Sequence, residues 1–488
     1  MPPKKRIGEI MIEQGLITQE QLEIGIQEQR KSGELLGSVL FSLGYISQKD
    51  LFKLLTISAV SQEETDLRKY NAEVPIEIEN LVKQSSSLFQ RDGSIGKKEL
   101  DSAYSPLVNL VEKIIIDGVQ RGATDIHINP DVKGIRIRYR VDGVLQHSMF
   151  LPSELLNPIV SRFKVMGQMN IAESRIPQDG SAEFPYRNRK LDLRISTFPV
   201  LGGENIVIRI LDKNQLRIGL ENLGFFEEDI EKLNESIQLP FGMILVTGPT
   251  GSGKTTTIYS CLSIINTVNR NIFTLEDPVE YQLPLARQSQ INIKAGLTFA
   301  TGLRSILRQD PDVILVGEMR DAETAELAIR ASLTGHLVFS TIHANDAISS
   351  IARIVDIGID PFLISTTIDS IIAQRLIRLL CDECKEAAPP SAPHYEKLRV
   401  DPAHVVLYQA KGCPACNSSG YRGRSVIYEI LKITTPIRDM INVKASLEDI
   451  RRHAMTEGFK EMHEVALEKV RLGITTLDEV SHATRMVF

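Results

Sequence analysis

The 488-residue sequence has no tryptophan and only five cysteines. Five cysteines in a chain this long are too few for a disulfide scaffold, so their spacing carries the information. The sequence also lacks a basic excess: 56 Lys and Arg stand against 62 Asp and Glu, a formal charge of −6. That balance argues against a general nucleic-acid coat, which needs net positive charge to neutralise phosphates. No apolar run approaches the roughly 18–20 residues that a membrane-spanning helix requires. The basic start, Met1 to Arg6, is followed by Glu9, Glu13 and Gln14 instead of the apolar stretch of a signal peptide. These absences predict a cytoplasmic chain whose membrane role is at most peripheral.

The pattern of the remaining residues suggests an α/β multidomain chain. Residues 1–60 hold an internal repeat: a shift of 29 aligns Ile7-Gly8 with Leu36-Gly37 and Gly15-Leu16-Ile17 with Gly44-Tyr45-Ile46. Each copy reads as two short helices, with Thr18 and Ser47 as N-caps of the second. Residues 61–105 are polar and predict a linker with one short helix at 76–83. Helical spacing followed by alternation predicts a sheet-rich α/β domain over 106–220. From 221 to 375 the pattern is strand, Gly-rich turn, helix, as in a parallel-sheet nucleotide-binding domain. A cysteine module follows over 376–425, and residues 426–488 read as helical.

The strongest local signal is Gly248-Pro249-Thr250-Gly251-Ser252-Gly253-Lys254-Thr255, which fits G-x-x-x-x-G-K-[ST] between an apolar strand and a helical run beginning at Thr256. Chance would produce this pattern in roughly 2% of chains of this length, before its flanking context is counted. Glycines let backbone N–H groups curl around phosphates, and the helix N-terminus adds its positive dipole end. Lys254 reaches the β and γ oxygens, and Thr255 can ligate Mg²⁺.

Hydrolysis needs a further group that positions or deprotonates water. Two short strands end in acids: residues 271–275 lead into Glu276-Asp277-Pro278-Val279-Glu280, and 312–317 lead into Glu318. An isolated acid of this kind is more often a salt-bridged surface group. On parallel strands downstream of a phosphate loop, however, Glu276 and Glu318 would both point at the phosphates. A third strand, with His336 before it and His343 at its end, offers His343 as a γ-phosphate sensor. Cys381-x-x-Cys384 and Cys413-x-x-Cys416 form two knuckles 28 residues apart. This spacing predicts a four-thiolate structural Zn²⁺ site in a reducing compartment, while Cys261 reads as a core residue.

Together these motifs resemble the secretion ATPase family that drives type II secretion and type IV pilus assembly. The resemblance runs from residue 106 onward. It rests on the phosphate loop, the aspartate box Thr274 to Glu280, the Walker B region Arg308 to Asp321 and the histidine box Leu333 to Asp346. It implies a RecA-like ATPase core preceded by a PAS-like domain. It also implies a catalytic Glu318 after Gly317, where many P-loop enzymes have a metal-binding Asp, and a hexameric ring. The preceding domain matches through Ala123 to Ile128, Arg138 to Gly143, Arg175 to Gly180, Leu193 to Thr197 and Gly203 to Ile210. Arg194 and Arg209 align with arginines that contact the γ-phosphate in the family. A guanidinium suits that role because its fork binds phosphate oxygens bidentately. Pairing of the two arginines with Asp192 or Glu204 is the competing reading. Arg304, Arg308, Arg320 and Arg353 are basic residues of the core without assigned roles.

The tetracysteine module resembles that of assembly ATPases, whereas retraction motors generally lack it. The N-terminal repeat resembles domains that bind cyclic di-guanylate or dock a membrane-anchored subunit. Leu35 and Ser58 depart from the cyclic di-guanylate motif, which leaves both alternatives open. The family implies partners in an inner-membrane platform protein and a membrane-anchored cytoplasmic-domain subunit. The expectation is therefore an Mg-ATP-hydrolysing hexamer peripherally bound to the inner membrane, with no nucleic-acid partner. Its rivals are a retraction-type motor, a non-hydrolysing nucleotide binder and a DNA translocator.

Overall fold

The computed structural model describes residues 12, 17–32, 36, 39–40, 43–46, 76–91, 106–132, 134–212, 219–389, 395, 398, 401 and 403–484. The chain forms two compact units, Met1–Ser181 with Arg194–Arg209, and Ala182–Leu193 with Ile210–Phe488. Among the described residues, no helix is long and apolar enough to cross a membrane.

In the first unit, helix α1 (Gln19–Ser32) opens on a reciprocal cap. Thr18 Oγ1 accepts from Gln21 N at 3.2 Å, and Gln21 Oε1 accepts from Thr18 N at 2.9 Å. Ile17 and Ile46, equivalent positions of the internal repeat, share a small core with Leu22 and Leu40. The residues that carry the cyclic di-guanylate expectation, Arg6 to Gly8, Leu35 and Ser58, lie outside the described residues, as does Ser47.

Helix α2 runs over Ile76–Arg91 and so extends beyond the expected 76–83. Helical spacing continues where polarity suggested a linker: Ile78 and Ser85, seven residues apart, are both buried, and α2 packs on α3 (Pro106–Gln120). Strands β1 (Ala123–Asp131), β2 (Gly134–Val141) and β3 (Val144–Leu151) follow, then α4 (Leu156–Met166). With β4 (Gln178–Tyr186), β5 (Arg189–Val200) and β6 (Gly203–Leu211), they make a six-stranded sheet in the order β3-β2-β1-β6-β5-β4. Ile126, Ile137, Tyr139 and Ile208 on one face are fully buried, and the Tyr139 hydroxyl donates to Ile114 O of α3 at 3.0 Å. The opposite face carries Asp125, His127, Arg138, Arg140 and Arg209 in register.

The second unit continues through α5 (Glu227–Ile237), β7 (Gly242–Thr247), α6 (Lys254–Ile265), β8 (Ile272–Glu276), β9 (Arg287–Gln290), α7 (Phe299–Ile306) and β10 (Val313–Val316). Next come α8 (Ala322–Leu333), β11 (Leu337–Ile342), α9 (Ala347–Ile357), α10 (Pro361–Thr367) and β12 (Ile368–Leu380). After short strands β13 (Glu386–Ala387) and β14 (Tyr408–Gln409), strand β15 (Tyr421–Lys432) completes a sheet ordered β15-β12-β7-β11-β10-β8-β9. All neighbours in this sheet are parallel except β12 and β15. Every residue of β7, β10 and β11 is buried, which matches their predominantly apolar composition.

Two boundaries differ from the sequence expectation. Strand β12 crosses residue 375, and residues 425–432, read as the start of a helical tail, form a strand. The cysteine module is therefore an excursion between two antiparallel strands of the core sheet. Its return strand, Ser-Val-Ile-Tyr-Glu-Ile-Leu-Lys, is buried nearly throughout, and a short apolar run of that kind does not distinguish strand from helix by period. Helices α11 (Thr435–Asn442), α12 (Leu447–Thr456), α13 (Met462–Arg471) and α14 (Leu477–Thr484) do follow. Their Ile437, Ile450, Met462 and Val480 join the same hydrophobic cluster as Ile314, Val338 and Ile371 of the sheet, so they extend the core instead of forming a separate one.

Candidate active site

The phosphate-loop residues Gly248 to Thr256 occupy one turn and the first turn of α6, directly after β7. Two glycines answer to neighbouring chain. A Cβ on Gly248 (φ 143°) would lie 2.3 Å from Gln374 O, and one on Gly253 (φ 88°) would lie 3.2 Å from Gln374 Nε2. Gln374 of β12 also donates to Ser252 O at 2.7 Å, so β12 braces the loop from below. Sequence reasoning missed Gln374, because only the sheet order places it there. Helix α6 has no side-chain cap, which leaves its first N–H groups as anion donors. Pro249, Thr250, Gly251 and Thr255 are exposed at the mouth, and Ser252 is buried. Lys254 Nζ donates to Gly248 O at 2.8 Å and Pro249 O at 3.1 Å. Burial lowers its pKa, and the nearby Glu318 charge opposes that shift.

Glu318 follows β10 after Gly317. A Cβ at 317 would meet Leu275 O at 3.0 Å, so the tight approach of β8 and β10 disfavours the side chain that many P-loop enzymes carry there. Gly317 N donates to Leu275 O at 2.8 Å, and Thr341 Oγ1 donates to Gly317 O at 2.7 Å. These bonds fix the strand tip from both flanks. The Glu318 side chain is 14% exposed, with Arg320 at 2.7 Å and His343 Nε2 at 3.6 Å. Lys254, Glu318 and His343 thus converge at the C-terminal edge of the parallel strands, with Arg320 beside them.

Glu276 differs from expectation. Its carboxylate is buried and accepts three protein donors: the Tyr259 hydroxyl, Thr274 Oγ1 at 2.5 Å and Gln288 Nε2 at 3.2 Å. Tyr259 comes from α6 and Gln288 from β9. Neither carries a motif signature, and only the fold brings them to the aspartate box.

The other basic candidates separate by environment. His336 sits at the C-terminal end of α8, with Nδ1 2.8 Å from Ala331 O. Arg304 pairs with Glu323, Arg308 donates to Arg304 O at 2.7 Å, and Arg353 is exposed on α9. In the first unit, Arg209 donates to Asp125 Oδ1 at 3.1 Å, while Glu204 is held by the buried Lys164 at 2.6 Å. The acid paired with Arg209 is thus Asp125, not Glu204. Arg194 lies on β5, between the buried Leu193 and Ile195.

The four cysteines Cys381, Cys384, Cys413 and Cys416 bring their sulfurs within 4.8 Å of one another. Three pairs measure 3.9, 3.8 and 3.7 Å. A tetrahedron with Zn–S arms of about 2.3 Å has edges of about 3.8 Å, so the donor set fits zinc. Burial pushes the Cys416 thiol up, but N–H donors from Cys413 and Gly420, each at 3.2 Å, outweigh it and bring it to about 6.

Comparison with known proteins gives the same direction. Residues 100–482 match the family described as "Type II/IV secretion system protein". Type II secretion system protein E of Pseudomonas aeruginosa is 46% identical over 382 residues, covering 78% of this chain and 76% of its own. The type IV pilus assembly ATPase PilB of Myxococcus xanthus is 34% identical, covering 97% of this chain and 98% of its own. Among solved structures, the pilus retraction motor PilT with bound ADP is 28% identical with a TM-score of 0.52, covering 76% of this chain and 96% of its own. The phosphate loop, the acid at the neighbouring strand tip and these relatives lead to one conclusion: the chain belongs to the type II/IV secretion system protein family, as one of its ATPases.

Proposed function

We propose that this ATPase is a hexameric motor on the cytoplasmic face of the inner membrane that powers assembly of a type IV pilus or a type II secretion pseudopilus. The observation that carries the reading is the convergence of Lys254, Glu318 and His343 at one edge of the parallel sheet. The names of these relatives support the process. The second unit is then a RecA-like core and the six-stranded sheet a PAS-like domain.

Lys254 and the N–H groups of α6 bind the phosphates, and Thr255 would hold Mg²⁺. A bound ion there would supply neutralising charge to the phosphates. Glu318 orients and deprotonates the attacking water, and His343 reports the γ-phosphate to it. Glu276 supports metal and water from the adjacent strand tip. Arg194 and Arg209 supply guanidinium groups to the γ-phosphate in the ring, which ties domain closure to hydrolysis. Closure moves a platform protein and a membrane-anchored subunit, and so adds pilin or pseudopilin.

The zinc-compatible tetracysteine cluster favours assembly over retraction, the charge of −6 disfavours DNA as cargo, and Glu318 disfavours a non-hydrolysing binder. Residues 1–60 dock the membrane-anchored subunit or bind cyclic di-guanylate, alternatives separated by calorimetric titration of the full chain with the dinucleotide. The test of the motor reading is Lys254→Ala. Turnover should fall at least a hundredfold and ATP affinity should weaken, while zinc content stays at one ion per chain; unchanged phosphate release overturns the site.

A further inference from the structure

The Glu276 carboxylate is held more closely than a strand-tip acid needs to be. Thr274 stands two residues earlier on β8, and Gln288 faces Thr274 in the β8–β9 register, so two of the donors belong to the sheet surface itself. Tyr259 is different. It reaches across from α6, five residues after Lys254, and its hydroxyl donates to Oε2 while Gln288 Nε2 donates to that hydroxyl at 3.2 Å. Its ring is fully buried and meets Tyr281 edge-on, with centroids 6.3 Å apart. Burial, together with the bond to Glu276, pushes the phenol pKa well up, so it remains a donor across the working pH range.

Two lone pairs per oxygen set what is left. Oε1 accepts from Thr274 and Gln288, and Oε2 accepts from Tyr259. Among the described residues, one lone pair of Oε2 is therefore uncommitted. Gln288 also accepts from Leu283 N at 2.6 Å and donates one amide proton to Tyr281 O at 2.9 Å, its other proton being shared between the Tyr259 hydroxyl and Glu276 Oε1, and so anchors the loop after the aspartate box to the same cluster.

We propose that Tyr259 is the positioning residue for Glu276: its phenol ties Oε2 to the phosphate-loop helix, so that the remaining lone pair is presented at the ATP site and moves with α6. This rests on the reading of Glu276 as a group that acts at that site. The hydroxyl does no chemistry itself. It fixes an angle, and errors of about 1 Å in a reacting group cost up to a hundredfold in rate.

The test is a double-mutant cycle on the full chain, with single-turnover ATP hydrolysis followed to completion so that a thousandfold slower variant is still read. Tyr259→Phe keeps the ring and removes only the hydroxyl. Its kcat should fall about tenfold, with KM for Mg-ATP within about twofold. In a Glu276→Gln background the same change should alter the rate less than about twofold, because no carboxylate remains to be positioned. An equal tenfold loss in both backgrounds, or a loss confined to thermal stability, makes Tyr259 a packing residue and overturns the proposal. If Glu276→Gln alone turns over at the native rate, the underlying reading of Glu276 fails instead, and the two failures are told apart.

Discussion

The tips of β8 and β10 lie side by side in parallel register, with Leu275 opposite Val316, and each delivers a glutamate. They treat it in opposite ways. Glu276 is enclosed by neutral donors from three elements: a phenol, a threonine hydroxyl and a glutamine amide. Glu318 has charged or ionisable partners that are themselves substantially exposed, Arg320 at 71% and His343 at 50%. Neutral bonds in a buried pocket fix geometry and are costly to break. Partners that face solvent can be exchanged for phosphate oxygens or water at little cost. In the proposed mechanism, this difference suits fixed placement for one carboxylate and chemical exchange for the other.

Separate measurement of rate and stability sharpens this contrast. Glu318→Gln should give the largest effect, a loss of turnover on the order of a thousandfold, with the melting temperature within about 2 °C of native. Phosphate release and thermal unfolding on one preparation decide it. A variant that melts much earlier would show Glu318 to be as structural as its neighbour. Glu276→Gln comes next. Turnover should fall about 10- to 100-fold, and stability should fall by about 1–3 kcal/mol, because donors arranged for a carboxylate are left facing an amide. A native melting temperature would mean the enclosure contributes nothing to folding, and the contrast would collapse.

The two tips were unequally legible in sequence. Glu318 follows an unbroken apolar strand and a Gly, and that pattern marks it as an acid at a strand tip. Glu276 was equally visible as an acid, but its surroundings were not. Tyr259 precedes it by 17 residues on another element, and Gln288 reaches it only through the β8–β9 pairing. The same rule accounts for the other departures. Strand β15 pairs with β12 across the cysteine module, Gln374 reaches the phosphate loop across 122 residues, and Arg209 finds Asp125 across 84. Motifs with fixed spacing, such as the phosphate loop and the paired Cys-x-x-Cys, were readable because their chemistry is local. Non-local partners depend on sheet order, which hydrophobic periodicity does not encode.

The smallest expected effect concerns the ion pair that distinguishes the β10 tip. Arg320 lies 2.7 Å from Glu318, but its guanidinium is mostly in water, where such pairs contribute about 0–1 kcal/mol. Arg320→Ala should therefore leave the melting temperature nearly native and lower turnover only about threefold, through looser orientation of Glu318. Because the interaction is screened, the gap between native and variant rates should narrow as ionic strength rises from about 0.05 to 0.5 M, while any gap due to Tyr259→Phe should not. A hundredfold loss that persists at high salt would place the guanidinium on the transition state itself. The β10 tip would then be held as rigidly as the β8 tip, and exchangeability would no longer separate the two carboxylates.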